Sequence, residues 1–76
     1  MSLINDIFKV ISKSLNISEE AISVDTLLED DLGADSLDIM ELFLNIEEAF
    51  QIEIPDEDMF EILTVGDLVK YLELHL

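Results

Sequence analysis

Neither cysteine nor arginine occurs in this chain of 76 residues, and only Lys9, Lys13 and Lys70 oppose nineteen acidic residues. Without cysteine, no disulfide or thiolate metal site supports the fold, so a domain this small must rest on close packing of its elements. Without clustered basic groups, nothing can neutralise phosphate. Nucleic acid is therefore an unsuitable partner, and an anionic membrane surface is disfavoured for the same reason. No apolar run approaches the ~20 residues of a membrane span, and the start, MSLINDIF, lacks the basic beginning and apolar core of a signal peptide. A cytoplasmic protein without stable membrane insertion is expected.

What the chain does contain is apolar. Half of its residues are hydrophobic although the net charge is -16. Charge of that size alone points to disorder, but a positive mean hydropathy at the same time argues for a folded domain with a very acidic surface. Such a surface steers in partners that carry basic patches.

The periodicity is helical throughout, and no segment alternates cleanly enough to predict a strand. Leu3, Ile4, Ile7, Phe8, Ile11 and Leu15 recur at helical spacing behind a Ser2 cap, predicting a helix from Leu3 to about Leu15. Ser36 to about Phe50 is the longest periodic run. Pro55 then stops one element and can begin another, and DEDMFEI fits one or two helical turns. Thr64 and Asp67 resemble a capping box ahead of Val65, Leu68, Val69 and Leu72 on one face of a last helix. Between the first two helices, about twenty residues form a loop, a length that is usually functional in a small domain. Ile17, Ile22, Val24, Leu27, Leu28 and Leu32 can pin it to the core, Thr26 and Glu29 read as a local capping signal, and Gly33 suits positive φ. The prediction is one all-α domain over residues 1–76: a four-helix bundle of three main helices and one short one, with a long anchored loop after the first.

Within DDLGADSLDIMELF, Ser36 stands between Asp35 and Asp38 at a helix start. As a nucleophile it would need a base, and the single histidine, His75, lies almost at the chain end. Calcium fits no better: with Gly33 as the sixth position of an EF-hand loop, Leu28, Leu32 and Ile39 fall on ligand positions, so no specific metal site is expected. Ser36 could simply cap the helix. Asp35 is an equally good cap, however, and would leave the serine hydroxyl exposed beside free N–H groups that suit a phosphate ester.

DLGADSLD, followed by ELFLNIEEAF and IEIPDED, resembles the acyl carrier proteins of bacterial fatty-acid synthesis over nearly the whole chain. The resemblance implies that Ser36, flanked by Asp35 and Leu37, receives 4′-phosphopantetheine from coenzyme A through a Mg²⁺-dependent phosphopantetheinyl transferase. The arm's thiol would then hold acyl groups as thioesters. A serine without an internal base makes sense on that reading, because a separate enzyme performs the attachment and this chain is not itself a catalyst.

At about 100° per residue, Ile39, Leu42, Phe43, Ile46, Ala49 and Phe50 share one broad face of the second helix, the expected core face. Leu37, Met40 and Leu44 share another, flanked by Glu41, Glu47 and Glu48. That strip is either a second buried face or a partner site with an apolar centre and an acidic rim. The resemblance favours the partner site, including Asp38, and implies fatty-acid synthesis and acyltransferase enzymes with basic patches as partners of a monomeric carrier. It also implies an acyl-chain pocket, for which helical spacing offers Phe43, Ile46, Phe50, Ile54, Met59 and Ile62. Met59, Phe60 and Asn45 depart from the family's usual residues. The alternatives are a carrier for polyketide or another specialised pathway, and an acidic helical adaptor or inhibitor without a prosthetic group.

Overall fold

The computed structural model of the protein describes residues 2–76, which form four helices in the order anticipated: α1 (Leu3–Leu15), α2 (Ser36–Phe50), α3 (Asp56–Met59) and α4 (Val65–His75). Each long helix begins on a side-chain cap. Ser2 Oγ accepts from Asn5 N–H in front of α1. Asp35 and Asp38 form a reciprocal capping box in front of α2, and Thr64 and Asp67 form another in front of α4. α1 and α2 both end on a left-handed residue, Asn16 and Gln51, which turns the chain back. α3 is a single turn behind Pro55, which serves as its N-cap and not as its first helical residue.

α1 packs against both α2 and α4. The core is built from Ile7 and Ile11 of α1, Leu42, Phe43 and Ile46 of α2, and Val65, Leu68 and Leu72 of α4, with Leu28, Ile54 and Ile62 from the connections. The apolar period of each helix thus points at a shared interior, where each side chain fully removed from water contributes about 1.5–3 kcal/mol. The expected core face of α2 holds except toward its two ends: Ile39 in the first turn and Phe50 in the last are half-buried, and Ala49 is exposed.

The long loop is anchored more firmly than its apolar residues alone would require. Leu28 N–H donates to Leu63 C=O at 3.0 Å, Val65 N–H to Thr26 C=O at 2.9 Å, and Gly66 N–H to Val24 C=O at 2.8 Å. Together with the isolated antiparallel bridge between Leu27 and Thr64, these bonds sew the loop to the entrance of α4. Gly66 is needed there, because a Cβ at that position would lie 2.8 Å from the Val24 carbonyl oxygen. Gly33 has φ +65, as its place in the loop requires. The turn expected after Thr26 is present, closed by Asp31 N–H on Leu27 C=O at 3.1 Å and ending at Gly33, but the Thr26 side chain does not cap it. Thr26 is buried, and its Oγ1 accepts from Ser23 N–H at 2.9 Å, while Asp31 captures Leu27 N–H at 2.8 Å. The loop also holds a 3₁₀ turn at Glu19–Ala21, capped by Ser18.

Candidate functional site

Ser36 is the first residue of α2 and is exposed. The cap is Asp35: its carboxylate accepts from Asp38 N–H at 2.9 Å and its carbonyl from Ile39 N–H at 3.0 Å. Asp38 returns the favour by accepting from Asp35 N–H at 3.2 Å. Among the described residues, the Ser36 and Leu37 N–H groups have no protein acceptor, so the helix start presents two donors beside a free hydroxyl.

Ser36 stands on the edge of a cleft of about 390 Å³ between α2 and the segment through α3. One wall is Ser36, Ile39, Met40 and Phe43; the other is Asp56, Met59, Phe60, Ile62 and Leu63, with Glu29 at the rim. Of the six residues that spacing offered for an acyl pocket, Phe43, Met59 and Ile62 line this cleft. Ile46 and Ile54 are buried within the core, and Phe50 is half-buried against it, so these three do not open to the cleft. Sequence reasoning missed Ile39, Met40, Phe60 and Leu63 as lining. The chain reversal between Gln51 and Pro55 is what brings the second wall opposite the first, and helical spacing does not encode that placement.

The strip along α2 is not a second buried face. Leu37, Met40 and Leu44 are 71, 59 and 56 % exposed, and across the cleft Phe60 and Leu63 are 81 and 61 % exposed. Asp38, Glu41 and Glu48 are exposed beside the strip. Glu47 differs from its neighbours: it is half-buried, and its Oε2 accepts from Ile54 N–H at 2.8 Å, tying α2 to the segment ahead of α3.

Behind α3, Tyr71 of α4 donates from its hydroxyl to Asp58 Oδ2 at 2.7 Å. Burial, that bond, and the charges of Asp58 and Glu47 push the Tyr71 hydroxyl up to about 12. His75 stacks on the Tyr71 ring with centroids 4.0 Å apart, and its Nδ1 lies 2.8 Å from the Tyr71 carbonyl oxygen, so the single histidine is engaged at the end of α4. Among the described residues, no group of three or more acidic or histidine side chains converges as a metal site, and no helix is long and apolar enough to cross a membrane.

Residues 5–72 match the family described as the phosphopantetheine attachment site. The chain is 47 % identical over 73 residues to an acyl carrier protein of Wolinella succinogenes, covering 96 % of each chain. It is 48 % identical to one from Helicobacter acinonychis, covering 96 % of this chain and 94 % of that one. A solved structure described as an acyl carrier protein from Mycobacterium tuberculosis superposes with a TM-score of 0.90 at 31 % identity, covering 99 % of this chain and all of that one. The chain belongs to the phosphopantetheine-attachment family, as one of its acyl carrier proteins. An exposed serine, two open N–H groups for a phosphate, and an adjacent apolar cleft fit the group that gives the family its name.

Proposed function

We propose that Ser36 is the sole attachment residue for 4′-phosphopantetheine and that the domain carries acyl chains between cytoplasmic enzymes of fatty-acid synthesis. When bound, the group supplies a thiol on a flexible arm, which holds an acyl chain as a thioester. The carrying observation is the placement of an exposed Ser36 hydroxyl at the edge of the cleft, with Asp35 and not the serine capping the helix. The serine is thus free to be esterified without loss of the cap. Ser36 and Leu37 N–H are placed to receive phosphate oxygens, and the walls from Phe43 and Met59 offer hydrocarbon a dry surface at roughly 0.8 kcal/mol per buried CH₂.

The transferase and the synthesis and acyltransferase enzymes would read the exposed Leu37, Met40 and Leu44, with Asp38, Glu41 and Glu48 aligning basic patches on each partner. Glu47 contributes charge to that rim, but its hydrogen bond to Ile54 N–H gives it a structural duty as well. An adaptor without a prosthetic group would leave both the free serine and its neighbouring cleft without a use.

The test is intact-protein mass spectrometry after incubation with coenzyme A and a phosphopantetheinyl transferase. Wild type gains one phosphopantetheine and Ser36→Ala gains none. An adduct on the variant, mapped to Ser18 or Ser23, would overturn the assignment.

A further inference from the structure

The single turn α3 forms part of one wall of the cleft; Met59 packs it on the core, yet few side-chain hydrogen bonds hold it in place. Its cap, Pro55, offers no side-chain hydrogen bond. The chain on either side is fixed: Ile54 N–H is held by Glu47, and Leu63 C=O is held by Leu28 N–H. Between those two points, the turn makes its own short-range backbone bonds, and one side-chain hydrogen bond joins it to another helix among the described residues. That bond is Tyr71 Oη to Asp58 Oδ2. Asp58 does not line the cleft, whereas Asp56, Met59 and Phe60 do, so the bond grips the turn from behind.

We propose that the Tyr71–Asp58 hydrogen bond is a latch that fixes α3 against α4 and thereby sets how long an acyl chain the cleft accepts, making Tyr71 a positioning residue for cargo length. The inference rests on the reading above that the acyl chain enters this cleft. Ile46, Ile54 and Leu42 are packed in the core behind the cleft, so deepening it inward would disrupt close-packed neighbours. The cheaper route is outward displacement of α3, which separates Asp58 from Tyr71. A hydrogen bond to a charged acceptor costs more to break than one methylene recovers on burial, so several methylenes must accumulate before the latch opens. Short chains would sit with the latch closed, and longer ones would meet a step.

The test uses the full chain loaded with saturated acyl groups from butyryl to palmitoyl. Wild type, Tyr71→Phe, Asp58→Ala and Asp58→Asn are compared by melting temperature and by amide exchange at Met59 and Phe60. Tyr71→Phe keeps the ring on His75 and removes only the hydroxyl; Asp58→Ala removes the acceptor from the exterior of a one-turn helix and serves if the tyrosine variant folds poorly. Both should speed exchange at Met59 and Phe60 by about tenfold or more and move the best-stabilised chain length upward. Asp58→Asn, which still accepts from the tyrosine but through a weaker, neutral bond, should fall between wild type and Asp58→Ala. Equal destabilisation of the thiol form and of every acyl form, with the preferred length unmoved, would overturn the latch. If wild type itself shows no dependence on chain length, the chain lies outside the cleft and both readings fall.

Discussion

At the start of α2, two adjacent residues divide the labour between folding and chemistry. Asp35 accepts the hydrogen bond that starts the helix, and Ser36 keeps an exposed hydroxyl. Asp35→Ala should therefore lose about 0.5–2 kcal/mol of stability, as cap removals do. Ser36→Ala should stay within about 0.5 kcal/mol of wild type, the usual range for an exposed position, while losing modification altogether. Urea unfolding paired with intact mass measures both. Asp67 gives a second separable effect. The N–H groups of Leu63 and Thr64 donate to its carboxylate and hold it below the usual 3.8. Because the folded-state value is the lower one, the stabilisation is complete above about pH 4 and vanishes as pH falls through the folded value. Asp67→Asn cannot titrate. The stability gap between it and wild type should stay level from roughly pH 7 to pH 5 and close in wild type's disfavour below about pH 4. A gap that does not change with pH would mean the box acts through geometry alone.

Among the elements, α2 carries both of its faces at once, one in the core and one outside. Met40→Ala should mainly raise the rate of dissociation from a synthesis enzyme by removing packed area. Glu41→Lys should slow association and reduce its salt dependence. Stopped-flow binding separates the two; if neither variant alters transfer, the exposed strip is not the docking face. The three long helices were legible in the sequence because each joins a 3.6-residue apolar period to a capping residue that the structure uses: Ser2, Asp35 and Thr64. The one-turn α3 was legible through Pro55. The 3₁₀ turn at Glu19–Ala21 was not, since three residues carry no period. The turn after Thr26 was legible, but its cap was not: the buried Thr26 hydroxyl bonds backward to Ser23, and Asp31 takes the Leu27 N–H. The serine proposed for attachment, and its exposure at the start of α2, were readable from the motif and the Asp35 cap. Of the ten residues lining the cleft, only Phe43, Met59 and Ile62 were legible as lining: Phe60 and Leu63 reach it by chain reversal, and helical spacing puts Ile39 and Met40 on the core face and the outer strip of α2.

Over the whole molecule, net charge of -16 is spread on a body only 29 × 25 × 20 Å. Self-repulsion at that density should weaken the fold at low ionic strength. Raising salt to about 0.15 M, where the screening length is roughly 8 Å, should raise the melting temperature. Mg²⁺ should act at lower concentration because of its valence. Since Asp31, Asp35 and Asp38 spend carboxylate oxygens on backbone N–H groups, the Mg²⁺ effect should lack a stoichiometric endpoint in calorimetry. A flat melting temperature across both titrations would show that repulsion does not limit stability.

The seam between Val24–Leu28 and Leu63–Gly66 also has a kinetic consequence. It pairs residues on the order of 40 positions apart, so its three backbone bonds repay their loop-closure entropy only after the intervening helices are in place. Helix formation by α1 and α2 is local and early by comparison. The seam should therefore close late in folding, and it should open only when the whole bundle does. In native-state hydrogen exchange, the Leu28, Val65 and Gly66 amides would then report global unfolding and show the full denaturant sensitivity of the protein. Amides near the ends of α1 and α4 would exchange by local fraying with almost no denaturant dependence.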